Sequence, residues 1–563
     1  MENLISNVKN KIREVIKNGY ISAVKEGQLI ECEINEIEID ATKEKKFGDF
    51  ATNFALKMSK QLGKNPREVA TVLLDKISGS DLIKKAEVAG PGFINFFLNE
   101  NWLYNNVEYI LNNPETFGRV NVGQGEKVMV EFISANPTGP MHIGNARGGA
   151  LGDSLANLLK YAGYDAYKEF YVNDYGNQVE KFAMSLNLRF LQKIHGEENV
   201  EFPEDAYHGQ DIIECVNDYI EEFGKEKLLS MNDEERKKEL SSYGLKKNIS
   251  KLKEDTKKYG IEYDRWFYES DLHKNNEVLN VIEELKNSGY TYENEGALWF
   301  KATDFGEEKD VVLVRANNFP TYFAADIAYH KNKIDRGFTK LIDIWGADHH
   351  GHVGRMKGAL NALSLGGDKL EVILMQLVRL MKNKEVYKVS KRSGKAVTLN
   401  DLIDEIGKDA ARFFFNLRQS NTHFDFDLDL AISKTNDNPV FYVQYAYARI
   451  CSILSILNDE GIDIDKNDFK KLSFLTSKEE LTLIENISTF PQEVTEAALN
   501  MDPSKITKYL ISVASDFHTF YNAKRVKDED MNIMEARIML IKAVKITLKN
   551  ALDILGISAP ERM

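Results

Sequence analysis

Residues 136–153, NPTGPMHIGNARGGALGD, set two prolines and five glycines around His142 and run into the plainly helical SLANLLKYAG. His142 and Asn145 stand three apart where that helix starts, so both can reach one object beyond its positive end, and a polyanion such as a triphosphate suits that place. Gly139 and Pro140 shape the loop. Gly144 and Gly148, four apart, strip side chains from one helix face so that a flat ligand or a neighbouring backbone can come close. The string is neither a Walker A loop nor G-x-G-x-x-G; its plainer alternative is a tight connection before a helix. Downstream, VYKVSKRSGKAVTL at 386–399 holds Lys388, Ser390 and Lys391, a K-x-S-K string whose reading by itself is an exposed basic turn. WGADHHGH at 345–352 crowds three histidines beside Asp348. By itself it invites a reading as zinc ligands.

Elements must bring these stretches together. KVMVEFISAN, from Lys127, is a short apolar run typical of a strand covered on both faces, and the helix after it completes half of a βαβ unit. LIDIWGAD and KLEVILMQLV are further strands, separated by the helical GRMKGALNALSLGG, an alternation that predicts a parallel α/β sheet. Up to about residue 115 the pattern is α+β: LIECEINEIEIDAT alternates like a half-exposed strand, DFATNFALKMSKQL has helical spacing, Pro66 opens a second helix, and FINFFL is a strand. Residues 174–264 are mostly charged and helical, the spacing of a solvated face. ALWFKATDFGEEKDVVLVRAN predicts a hairpin around Gly306. From about Asp404 the chain is almost wholly helical by period. The expected fold is therefore α/β: a Rossmann-like parallel-sheet domain at 116–403 with helical and hairpin insertions, an N-terminal α+β domain at 1–115, and an all-α bundle at 404–563.

With 563 residues, 43% of them hydrophobic, the chain can bury several cores. Cys32, Cys215 and Cys451 lie far apart without C-x-x-C spacing, which leaves no disulfide framework or four-thiolate zinc site. A formal net charge of -14 argues against indiscriminate nucleic-acid binding. No apolar run is expected to reach the ~20 residues of a membrane span, and the start is charged throughout, unlike a secretory leader. A cytoplasmic protein without a membrane partner is the expectation.

The string EFISANPTGPMHIGNARGGALGD resembles, over its whole length, the HIGH signature of class I aminoacyl-tRNA synthetases in the form carried by arginyl-tRNA synthetases, with Asn145 where the usual signature has a second histidine. VYKVSKRSGK resembles the KMSKS loop: Lys388, Ser390 and Lys391 fall on the pattern, with Val389 for Met and Arg392 for the last Ser. FGDFATNFAL and VAGPGFINFFL are similar to the family's N-terminal domain, which reads the corner of the tRNA, and 404–563 is similar to its helical anticodon-binding domain.

The resemblance implies ATP-dependent activation of L-arginine to arginyl-adenylate and transfer to the 3'-terminal ribose of tRNA(Arg), with the amino acid activated only when tRNA is bound. It implies His142, Asn145, Lys388 and Lys391 as catalytic groups, and Gly139, Gly144, Gly346, Asp348, His349 and Ser390 at ATP. Glu131, Asn136, Tyr322 and Asp326 would receive arginine, and Tyr442, Gln444, Tyr445 and Arg449 the anticodon. Magnesium would arrive with ATP, with no ion held tightly by the protein. A monomer is expected. The rival readings are another class I synthetase or related nucleotidyltransferase, and a non-catalytic RNA-binding paralogue, the latter prompted by Asn145.

Overall fold

The computed structural model describes residues 4–34, 36–42, 44–77, 81–387 and 397–563. In its N-terminal part, helix Leu4–Lys25 packs against helix Pro66–Lys76, beside a four-stranded antiparallel sheet in the order Asp40–Ala41, Phe50–Thr52, Phe93–Leu98, Ile83–Ala89. Pro66 does open a helix, Pro66–Lys76, where Asn65 accepts a hydrogen bond from the Arg67 amide at 2.9 Å. The strand expected across LIECEINEIEIDAT is reduced to Asp40–Ala41. Its alternation is one of burial, with Ile37 and Ile39 inward, while side chains satisfy backbone groups in place of a ladder. Arg13 Nε donates to the Ile37 carbonyl at 2.8 Å, and the Cys32 amide donates to the Tyr20 hydroxyl at 2.9 Å. Likewise DFAT is the strand Phe50–Thr52, and the helix begins only at Phe54.

The centre is a five-stranded parallel sheet. Its strands are β1 (Lys127–Glu131), β2 (Asp165–Val172), β3 (Arg265–Tyr268), β4 (Lys340–Gly346) and β5 (Leu370–Met375), lying in the order β5-β4-β1-β2-β3. Val128, Met129 and Val130 are fully buried, as a strand covered on both faces requires. The strand order reverses at β1, so the crevice beyond the carboxyl ends of β1 and β4 is the switch point where such sheets bind ligands.

The elements that frame this crevice are α1 (Ile143–Tyr161) after β1, α2 (Asp233–Lys258) in the helical insertion before β3, α3 (Tyr322–Asp335) before β4, and α4 (His350–Ala362) after it. The expected hairpin is present: Ala297–Phe300 pairs antiparallel with Val311–Val314.

A bundle containing α5 (Pro439–Asp459), α6 (Ser504–Ala523) and α7 (Met531–Leu555) closes the chain. The almost wholly helical expectation after Asp404 is corrected at one place. β6 (Val378–Lys382) pairs in parallel with β7 (Phe424–Asp427), joining chain from either side of residue 404. Four residues, FDFD, are too short a run for period 2 to stand out among helical neighbours. Helix α5 also departs from the expectation about apolar runs. It is long and apolar enough to cross a membrane by length and composition, and half of that stretch is buried within the protein.

Buried charges bind the bundle to the central domain. Arg412 donates to Asp153 of α1 and, through Nε at 2.8 Å, to the Leu555 carbonyl, while Lys168 Nζ lies 2.5 Å from Asp153 Oδ1.

Candidate active site

β1 delivers Glu131 to the crevice, and the chain then turns sharply: Ile133 and Ser134 adopt φ of 68° and 44°. A left-handed β-branched residue is rare and is held only where its surroundings over-determine it. Here Ser134 Oγ donates to Glu131 Oε1 at 2.8 Å and accepts from the Tyr171 amide at 3.2 Å.

His142 is the N-cap of α1. Its Nδ1 accepts from the Gly144 amide at 3.2 Å, and its own amide donates to Asn145 Oδ1 at 3.0 Å, a reciprocal capping box. The short amide of Asn145 closes that box and keeps its two N–H donors. Because Nδ1 accepts, the His142 proton sits on Nε2; burial holds its pKa below the ordinary value. Neutral N–H donors thus stand at a helix N-terminus.

The glycines make room for neighbouring side chains. A Cβ on Gly152 would lie 2.2 Å from Phe132 Cγ, and one on Gly149 would lie 2.9 Å from Ile261 and 3.0 Å from Ile133, so these two let α1 press on the end of β1. Around Gly148 the nearest atom is at 3.7 Å, and Gly144 faces the His142 ring at 3.2 Å, so the expected bare face of Gly144 and Gly148 is not where α1 is tight.

Lys388, Ser390 and Lys391 lie outside the described residues. The chain that follows them is described, and it is stitched to the first motif. Thr398 bridges antiparallel to His142, and the Leu399 amide donates to the Met141 carbonyl at 2.9 Å. The described chain that resumes at Val397, some 250 residues beyond the first motif in sequence, thus meets that motif at the N-terminus of α1.

Two adjoining cavities share Ile133 and Ser134 as a common wall. One, of about 480 Å³, has Asn136, Gly139, His142 and Asn145 on its lining. The other, of about 650 Å³, has Glu131, Tyr322, Asp326, Gly346, Asp348 and His349. Tyr322 and Asp326, one turn apart on α3, therefore do face the same space.

Beneath the larger cavity runs a chain of alternating charge that sequence reasoning did not find. Lys333 Nζ, fully buried, lies 2.6 Å from Glu131 Oε2 and 2.9 Å from Asp343 Oδ1. His330 Nε2 lies 2.8 Å from Asp343 Oδ2, and its Nδ1 lies 3.3 Å from Asp326 Oδ1. His352 Nε2 lies 2.7 Å from Asp326 Oδ2. Burial and Lys333 oppose charge on His330, yet Asp326 and Asp343 outweigh them and raise it to about 10. Despite burial, the His330 and His352 imidazoles hold Asp326 well below the usual carboxylate range. Burial pushes Glu131 upward against the pull of Lys333.

Glu269, almost fully buried on the cavity lining, was also missed. The Asn173 amide, turned to donate, reaches its Oε2 at 3.1 Å. Its only sequence signal is position, directly after β3 at the ligand-binding edge of the sheet. Asp348 and His349 stand exposed on the rim, while His352 is engaged by Asp326. No group of three or more His, Cys, Asp or Glu suited to a metal occurs among the described residues.

On the bundle, Tyr442, Tyr445 and Arg449 share a half-buried surface of α5. The His518 ring centroid lies 4.6 Å from Tyr442 and 6.0 Å from Tyr445, and the Arg449 guanidinium sits 4.3 Å from Tyr521. His518 and Tyr521, on α6, complete the platform. Gln444 is turned away: its amide donates to Asp409 at 3.1 Å and to the Ser558 carbonyl at 2.9 Å.

Three family models tile the chain: the arginyl-tRNA synthetase N-terminal domain over 4–98, the class I (R) tRNA synthetase catalytic domain over 106–424, and the DALR anticodon-binding domain over 443–563. The chain is 54% identical to an arginine–tRNA ligase of Caldanaerobacter subterraneus and 50% identical to one of Acetivibrio thermocellus, each match covering 100% of both chains. Arginyl-tRNA synthetase structures share its fold: that of Thermus thermophilus at TM-score 0.71 and 21% identity, covering 98% of this chain and 100% of the other, and that of Plasmodium falciparum at 0.72 and 19%, covering 98% and 99%. Identity of this degree over full length, on a parallel sheet whose switch point holds the His142 motif and a carboxylate-lined cleft, places the chain in the class I arginyl-tRNA synthetase family.

Proposed function

We propose the following division of labour for an arginine–tRNA ligase, which activates L-arginine with ATP and charges tRNA with the product. In the first step the arginine carboxylate attacks the α-phosphate, a new O–P bond forms, and pyrophosphate leaves. In the second, a ribose hydroxyl at the tRNA 3' end attacks the activated carbonyl and AMP leaves. Such chemistry asks the protein for position and for donors aimed at developing negative charge.

The small cavity receives phosphates. His142 Nε2–H and the Asn145 amide donate to their oxygens beside Gly139, and Gly144 keeps the His142 ring in its capping position. Lys388, Ser390 and Lys391, carried by the resemblance, act from the segment that ends against His142. Gly346, Asp348 and His349 take the nucleoside, with Asp348 accepting from ribose hydroxyls. Magnesium comes with the triphosphate, whose oxygens and water hold it. The coarser divisions near residues 115 and 403, a monomeric state and a cytoplasmic location belong to the same proposal.

The larger cavity receives arginine. Its guanidinium carries five donors and a permanent charge, which Glu131, Asp326 and Glu269 can accept, with Tyr322 on one side and Asn136 at the amino acid's other end. Lysine would leave some of these acceptors without a partner, at about 1–3 kcal/mol each. Tyr442, Tyr445 and Arg449 offer faces for unstacked anticodon bases, whereas Gln444 supports the fold of the bundle.

One observation carries this reading: buried carboxylates line a cleft that shares a wall with the cavity of His142 and Asn145 at the N-terminus of α1. The test is charging of tRNA with labelled arginine against lysine and the other amino acids. Arginyl-tRNA alone is the expected product, and no product above background would overturn the assignment.

A further inference from the structure

α2 turns Ser242, Leu245, Lys246, Ile249, Ser250 and Lys253 toward a groove of about 420 Å³ whose other wall is Asp174 and Tyr268. Steps of three and four residues put these side chains on one stripe of the helix. Asp174 follows β2 and Tyr268 ends β3, so the groove lies along the carboxyl edge of the sheet. The adjacent residues Asn173 and Glu269 line the larger cavity. The groove therefore runs up to the rim of the arginine cleft.

Its charge is opposite to that of the chain. Against a formal net charge of -14 overall, residues 246–258 hold six lysines, Glu254 and Asp255. Lys247 and Lys258 are spent on Asp218 and Asp404. Lys246 and Lys253, both exposed, have no carboxylate partner among the described residues, and Lys253 Nζ stands 5.2 Å from the Trp266 ring. Asp174, the one acid in the groove, is occupied by the Ser270 amide and hydroxyl, both at 2.8 Å.

Resting on the tRNA-charging reading above, we infer that this groove carries the single-stranded 3' end of the tRNA to the cleft. Lys246 and Lys253, two helical turns or about 10 Å apart, neutralise separate phosphates, while the hydroxyls of Ser250, between them, and Ser242, one turn before Lys246, donate to backbone oxygens. Leu245 and Ile249 give the strand an apolar floor. The terminal ribose then passes over the Asn173–Asp174 rim to the activated arginine.

The test uses the full-length protein with Lys246→Ala and Lys253→Ala combined. Dissociation constants are measured across a salt series for tRNA(Arg) and for the same tRNA lacking its single-stranded 3' tail. With intact tRNA, the slope of log K against log salt should become shallower by about 1.4, from two single-strand phosphate contacts at about 0.7 each. With the truncated tRNA, variant and parent should bind alike. The Lys246→Arg, Lys253→Arg combination should keep the parental slope.

An unchanged slope with intact tRNA would overturn the inference, as would an equal loss with truncated tRNA or loss of slope in the arginine combination. Arginylation by the parent protein, measured on the same preparations, separates the two levels. Its absence removes the underlying function, whereas normal charging with an unaltered slope removes only the groove.

Discussion

Lys333 holds Glu131 in place: its ammonium, fully buried, reaches the Glu131 carboxylate at 2.6 Å while a second carboxylate, Asp343, grips it from the other side at 2.9 Å. A buried carboxylate on the lining of the proposed arginine cleft is thereby oriented before any substrate arrives. In Lys333→Met two buried acids lose their common cation, which should cost about 3–5 kcal/mol of stability. Chemical denaturation measures this. In protein that remains folded the Michaelis constant for arginine should rise, with the constant for ATP little changed, and equal increases in both would argue against a role through Glu131.

Asp326 is held ionised by two imidazoles, and its loss should be felt by arginine. Asp326→Asn is expected to raise the Michaelis constant for arginine about 10–100-fold, the worth of one charged hydrogen bond at about 1.5–3 kcal/mol. An unchanged value would move the guanidinium elsewhere.

The same pair gives a pH dependence with a definite sign. His330 is raised from its ordinary 6.5 to about 10 in the folded protein. Between those values the folded state binds a proton that the unfolded state has lost, so the contribution of His330 is full below 6.5 and fades as pH climbs toward 10. Unfolding free energy measured from pH 6 to 10 should fall, and should fall less steeply in Asp326→Asn. A rise over that window would contradict the charged pair.

Asn145 closes the capping box through its oxygen, and in the proposed function it meets the phosphates through its amide donors. Asn145→Ala should cost about 0.5–2 kcal/mol of stability through the opened capping box and should slow activation as well. Asn145→Asp keeps the acceptor and removes the donors, so it should be nearly as stable as the parent yet slow. Parental activity in Asn145→Asp would leave the amide without a role in the reaction.

Gly152 marks where α1 touches the sheet. Gly152→Ala places a Cβ 2.2 Å from Phe132 Cγ and should destabilise by about 1–3 kcal/mol, whereas Gly139→Ala, with nothing within 4 Å, should be tolerated. Thermal unfolding of the two variants separates them, and equal shifts would contradict the packing.

Much of this architecture was legible because its signals are local. The apolar run from Lys127 and the proline and glycine punctuation before α1 show at short range, and Tyr322 and Asp326 already share a face by their spacing. What escaped depends on distant partners. Lys333 and Asp343 look like ordinary surface charges until α3 packs beside β4, and Glu269 is one acid among many until β3 brings it to the crevice. The strand expected across 29–42 shrank to Asp40–Ala41 because burial alternates before it while hydrogen bonds go to side chains of the first helix. Tyr442, Tyr445 and Gln444 lie within three residues of one another, yet only the packing of α5 on its neighbours decides that Gln444 faces inward.

A structure of the complex with arginine and a non-hydrolysable ATP analogue tests the central claim most directly. Expected are the guanidinium within hydrogen-bond reach of Glu131 and Asp326, and the α-phosphate within reach of His142 Nε2. A guanidinium seated away from both acids, or phosphates away from the N-terminus of α1, would contradict it.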